Sequence, residues 1–172
     1  MANQVCVAST RTCATVKRIF ATKTLYNGNL GGLAGADQKC MTAAQAAVLG
    51  GTWKAWLSDG STDAINRIAE VGPWYRLGSS NVKLFNNKAN LTTLPLDSVQ
   101  VNEDGVSVSG GVWTGTVVGG TRATVHCNNW ASAQGTMGTL TGQSGDSTSA
   151  AYWTDWGASK CDEPRRLYCI EQ

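Results

Sequence analysis

Six cysteines, one histidine and seven tryptophans are the residues of this 172-residue chain with the most chemistry to offer. The histidine, His126, directly precedes Cys127, and no cysteine pair is spaced C-x-x-C, so a structural zinc site is poorly supplied. Nucleophilic catalysis would have to use His126, and no G-x-S-x-G surrounds any serine. A lone histidine beside a structural cysteine reads as a packed or surface residue. Three acidic pairs could serve a hydrolase: Asp59 with Asp63, Glu103 with Asp104, and Asp162 with Glu163. Each sits in a turn or cap, where acids occur for local reasons. Asp59, Ser61, Asp63 and Glu70 fall at calcium-loop offsets, but Ala64 stands where that loop needs glycine. No metal ion and no cofactor is expected.

The stretch GGLAGADQKC, residues 31–40, asks whether a glycine-rich turn cradles phosphate. Gly28, Gly31, Gly32 and Gly35 do not match G-x-G-x-x-G, and no Walker lysine follows. The glycines read as a tight turn that lets a helix pack closely, with Cys40 on its buried side.

An even number of cysteines at wide, irregular spacing reads as a disulfide framework in an oxidising compartment, against the weaker alternative of buried free thiols. MANQVCVAST has neither the basic start nor the apolar core of a signal peptide, so a removed leader is expected, with Met1 added at expression. No apolar run approaches the ~20 residues of a membrane span. The net charge of +2 comes from scattered residues, with no basic cluster beyond Lys17-Arg18 and Arg165-Arg166. Nucleic acid is therefore not an expected partner.

Tryptophan fills core when buried and stacks on sugars or anchors protein contacts when exposed. Trp53, Trp56 and Trp113 read as core. Trp74-Tyr75-Arg76 and Trp153-Thr154-Asp155-Trp156 flank turns and mix aromatics with charge. Trp74, Tyr75, Arg76, Trp153, Asp155 and Trp156 are accordingly the candidate ligand contacts. Satellite core beneath long loops is the competing reading, and for any single residue the stronger one.

Positioning these residues requires a frame. Lys17 to Tyr26 reads as a strand, and Ala36 to Leu49 as an alanine-rich helix with Asp37 in its first turn and Gly50-Gly51 as its stop. TWKAWLS reads as a strand, followed by a second helix capped by Thr62, buried along Ile65, Ile68 and Ala69, and ended by Gly72-Pro73. Short strands follow: WYRL, NVKLF, VNEDGVSV with a hairpin turn at Asp104-Gly105, VWTGTVV and RLYCIEQ. Gly135 to Ser149, rich in Gly, Ser and Thr, reads as an exposed loop. The organisation expected is an N-terminal stapled extension, residues 1–16, and one α+β domain, residues 17–172. The sequon Asn90-Leu91-Thr92 matters only in a glycosylating host.

GGLAGADQKC, GTWKAWLSD, VWTGTVVGGTRATVHCNNW and SKCDEPRRLYCIEQ, in that order, resemble the endostatin-like branch of the C-type lectin-like superfamily, and bacterial endostatin-like surface proteins more closely still. The resemblance covers residues 18–172. It implies a disulfide-stapled α+β lectin-like fold with two early helices, a mostly antiparallel sheet and long irregular loops. It also implies the pairings Cys40–Cys169 and Cys127–Cys161, leaving Cys6–Cys13 as a local pair. The calcium motifs of sugar-binding lectin-like domains are absent, as are the N-terminal zinc histidines of endostatin. The function implied is a non-catalytic recognition or adhesion domain, extracellular or on a bacterial surface, binding a protein or matrix ligand. A calcium-independent glycan lectin and an oligomeric fibre-tip module are the alternatives. A membrane would be reached only through an anchor outside this sequence.

Overall fold

The computed structural model describes residues 4–7, 12–78, 82–135 and 140–172; side chains of residues 4–7 and 12–14 fall outside the description. Two strands, β1 (Gln4–Val7) and β2 (Thr12–Thr15), pair antiparallel as a separate ribbon. Their backbone register sets Cys6 opposite Cys13. The expected Cys6–Cys13 bond itself concerns side chains outside the described residues.

The main sheet has eight strands: β3 (Lys17–Ala21), β4 (Trp53–Ala55), β5 (Trp74–Arg76), β6 (Lys83–Phe85), β7 (Gly111–Trp113), β8 (Thr141–Asp146), β9 (Gly157–Lys160) and β10 (Arg166–Glu171). Their order is β6-β5-β3-β10-β7-β8-β9, with β4 also pairing with β10. The last strand is thus central, bonded to β3, β4 and β7. Alternation along it explains its continuous apolar run. Tyr168 and Ile170 enter one core, while Leu167 and Cys169 enter a second on the opposite face. β3 does the same, with Ile19 and Ala21 on the first face and Phe20 on the second.

The second face is covered by α1 (Gly32–Ala46), whose small residues Ala36, Cys40 and Ala44 are buried and let the helix lie close to the sheet. Gly31 introduces it at φ 82°, a left-handed turn that suits glycine. Cys40 bonds Cys169 on β10, and Cys127 bonds Cys161, the two pairings the resemblance implied. The opposite face is covered by long loops carrying Trp56 and Trp153, not by a second helical layer.

The expected lectin-like α+β architecture with two early helices is corrected here. The fold is mainly a mixed sheet, in which β5 runs parallel to β3 and β7 parallel to β10. The second helix shrinks to a single turn, α2 (Ala64–Arg67), introduced by Asp63 and not Thr62. Ala69 is exposed instead of buried, because the chain turns extended at Ile68. α1 begins four residues before its predicted start, at Gly32 rather than Ala36, so Asp37 lies beyond the first turn. Its carboxylate bonds Arg67 at 2.6 Å and the Ala55 amide at 2.9 Å, tying α1 to α2 and β4 instead of serving the helix dipole. VNEDGVSV yields a turn closed by a Val101–Ser107 bridge, not a hairpin of strands.

The largest difference lies at Gly135 to Ser149, predicted as exposed loop. Residues 141–146 of this stretch form β8, an interior strand with Gly142, Gln143, Ser144 and Gly145 buried. A Cβ on Gly142 would meet Cys127 Sγ at 2.8 Å and the Trp130 ring at 3.0 Å, and one on Gly145 would overlap the Trp153 carbonyl oxygen. Glycine is there because other groups occupy the space, not because the chain turns.

Candidate recognition surface

The four-residue segment Trp153-Thr154-Asp155-Trp156 is pulled in opposite directions. Trp153 is fully buried, stacked on Trp56 at 5.1 Å and tilted against Phe85 and Tyr168. Its indole N–H donates to the Thr93 carbonyl at 3.1 Å. Thr154, also buried, accepts from Trp56 Nε1 at 2.9 Å, and its own carbonyl accepts from Thr114 Oγ1 at 2.7 Å. Asp155 accepts from Gln143 Nε2 at 2.6 Å. Only Trp156 faces outward, 54% exposed, held through its backbone N–H on the Ser144 carbonyl.

Trp156 is the exception among seven. The other six are at most 1% exposed, and each indole N–H has an acceptor: Trp53 on Gly50, Trp56 on Thr154, Trp74 on Glu171, Trp113 on Tyr26, Trp130 on Ser58, Trp153 on Thr93. Buried indoles need such partners. The Trp156 N–H has none among the described residues.

Two of the predicted contacts are therefore corrected: Trp74 and Trp153 are core, unable to meet a ligand. Arg76 is committed to Asp97 at 3.4 Å and to the Ser98 carbonyl at 3.1 Å, fixing a loop. Tyr75 is half-buried on β5, second from one edge of the sheet, whereas Trp156 precedes β9 at the other edge. The two aromatic clusters do not line up along one strand edge. Tyr152, missed in the sequence, is 54% exposed, four residues before Trp156. The signal available was its place in the same tethered loop.

Beside Trp156 lies an open groove of about 310 Å³ on the β9 end of the sheet. Ser144, Ser159, Lys160, Glu163 and Arg165 line it with polar groups. The Ser144 and Ser159 hydroxyls are 3.1 Å apart, and Arg165 pairs with Glu163 at 2.7 Å. Behind the groove the Arg165 guanidinium stacks over Trp113 at 5.4 Å, which fixes its plane.

A smaller hollow, about 260 Å³, lies beside His126 and Cys127. Cys127, Asn128, Asn129 and Trp130 all have positive φ, between 49° and 62°, and form one left-handed turn. Left-handed helical residues cost about 1–2 kcal/mol each. Four tethers hold this turn: the Cys127–Cys161 bond, Trp130 Nε1 on the Ser58 carbonyl, the Asn129 amide N–H on His126 Nδ1, and Gly60 N–H on Asn129 Oδ1. His126 is thereby a capping acceptor. Burial pushes the Asp59 pKa up, but hydrogen bonds from Ser61 and Thr62, with the nearby His126, outweigh it and hold Asp59 below the usual carboxylate range. No group of three or more metal-ligating side chains occurs among the described residues.

No curated protein matches the chain. A family model does, over residues 23–150, most of its length, and the chain belongs to the family described as "Protein of unknown function (DUF1554)".

Proposed function

We propose that this chain is an exported, non-catalytic recognition domain that binds a matrix or cell-surface ligand through the loop carrying Tyr152 and Trp156. The observation that carries this reading is the exposure of Trp156, with an unengaged indole N–H, on a loop anchored by its fully buried neighbour Trp153. A rigidly held aromatic loses little conformational freedom when a ligand lands on it, which favours affinity. The two disulfides call for an oxidising environment, and no helix among the described residues is long and apolar enough to cross a membrane. Display on a bacterial surface is the setting that the sequence resemblance to endostatin-like surface proteins supports.

The test is solid-phase binding of the disulfide-intact chain to decellularised matrix, alongside a Tyr152→Ala/Trp156→Ala variant. Saturable binding that weakens at least tenfold in the variant is expected. Binding of equal strength by both proteins, or by neither, overturns the assignment.

A further inference from the structure

The groove beside Trp156 has a chemistry more specific than a general docking face. We infer that it is a saccharide subsite: one pyranose ring stacks on Trp156 while its hydroxyls bond the Glu163–Arg165 pair and the Ser159 hydroxyl. The inference rests on the recognition reading above and names its ligand class.

Four observations converge. The first is the indole itself, more than half exposed at the rim, with a free N–H among the described residues. A sugar presents an apolar C–H face to such a ring and can accept from its N–H. The second is the lining, which offers side-chain donors and acceptors: the Ser159 hydroxyl, held from behind by the buried Ser144 hydroxyl at 3.1 Å, and a carboxylate 2.7 Å from a guanidinium. Vicinal hydroxyls, each both donor and acceptor, match such alternation. The third is rigidity. The Arg165 side chain is only 14% exposed and lies over Trp113; its guanidinium has Glu163 as its one acceptor among the described residues, and its buried Nε has none. The fourth is shape: the groove is open and small, at the low end of the about 300–1,000 Å³ typical of ligand sites.

Competing ligands fit less well. A compact anion such as phosphate would meet Arg165 already paired with Glu163, leaving Lys160 as the one unpaired cation of the lining among the described residues. An apolar small molecule would strand the carboxylate and hydroxyls without partners. An extended peptide added to the β9 edge would meet Gly157, Ala158 and Ser159, whose small side chains give its own little to pack against.

The experiment is a glycan array probed in EDTA with the disulfide-intact chain, Trp156→Ala and Glu163→Gln. Both substituted side chains reach solvent, and thermal melts matched to the unsubstituted chain verify folding. Hits sharing a pyranose unit are expected, reduced at least tenfold by Trp156→Ala and several-fold by Glu163→Gln. A blank array, or hits indifferent to Trp156→Ala, overturns the inference. Decellularised matrix tested before and after periodate oxidation separates this failure from that of the wider reading. Binding abolished by oxidation supports the saccharide. Trp156-dependent binding that survives oxidation removes the saccharide and leaves recognition standing, with a peptide on β9 as occupant. No binding to matrix or array removes both.

Discussion

Trp153 and Trp156, separated by only two residues, occupy opposite environments: the first is fully buried against Trp56, and the second is 54% exposed at the rim of a groove. Thr154, buried between the Trp56 indole and the Thr114 hydroxyl, is what turns the chain between them. One tryptophan fixes the loop and the other is presented by it.

This division gives a simple contrast. Trp153→Ala is expected to cost about 3–5 kcal/mol, as large-to-small changes in a packed core do. Trp156→Ala should change stability by less than about 0.5 kcal/mol. Chemical denaturation of the two variants checks both, and equal effects would contradict the arrangement.

Gly145→Ala tests the buried strand β8. Its new methyl group would overlap the Trp153 carbonyl, which is backbone and cannot swing away. A loss of several kcal/mol is expected, in line with about 1–3 kcal/mol for overpacking and more where backbone must move. The same substitution at half-buried Gly119, where a Cβ would meet nothing within 4 Å, should cost far less, through its φ of 100° alone.

The left-handed turn predicts an inverted preference at Asn128, which is exposed with φ 54°. Asn128→Gly should be neutral or stabilising by up to about 1 kcal/mol, and Asn128→Val destabilising by more than that. Thermal melts of the pair provide the measurement.

Reduction should be severe. In the chain-entropy picture the Cys40–Cys169 bond, closing a separation of 129 residues, restrains the unfolded chain by about 5 kcal/mol. Cys127–Cys161, with a separation of 34, contributes about 4 kcal/mol by the same relation. A Cys40→Ala/Cys169→Ala variant is expected to lower the denaturation midpoint more than Cys127→Ala/Cys161→Ala. The reverse order would show that the second bond acts chiefly by holding the left-handed turn.

Tyr168 sets the alkaline limit. Burial, with Asp146 nearby, raises its phenol well above the ordinary tyrosine value, and its hydroxyl has no partner among the described residues. The neutral phenol is favoured in the folded state. Its contribution is therefore complete below the unfolded tyrosine value, about 10, and is lost as pH rises beyond it. Tyr168→Phe should remove this alkaline component and leave stability at neutral pH unchanged or slightly higher. Denaturation at several pH values between neutral and strongly alkaline decides it.

The parts of the fold legible in the sequence were those with a strong local signature or a family analogue. The alanine run around Cys40 marked α1, and Trp53, Trp56 and Trp113 were recognisable as core. Both described disulfides followed from the resemblance. What could not be read depends on contacts between distant segments. TGQSGD carries no β-branched residue beyond Thr141, and its glycines answer to Trp130 and Trp153, so composition pointed to a loop. The second helix was overread because Ile65 and Ile68 suit a helical stripe, although the chain extends after Arg67. Nothing local distinguishes Trp153 from Trp156. Their fates are decided by Thr93, Thr114 and Gln143, all far away in sequence.

The central place of β10 bears on how the molecule is made. Strands β3, β4 and β7 each bond to it, so each lacks that neighbour until β10 has been made. A chain synthesised from its N-terminus can therefore pair β3-β5-β6 and β7-β8-β9 only as separate pieces, and the pairings that join them form late. A polypeptide stopped before Arg166 would retain α1 and all seven tryptophans yet lack the strand that joins the two sides of the sheet.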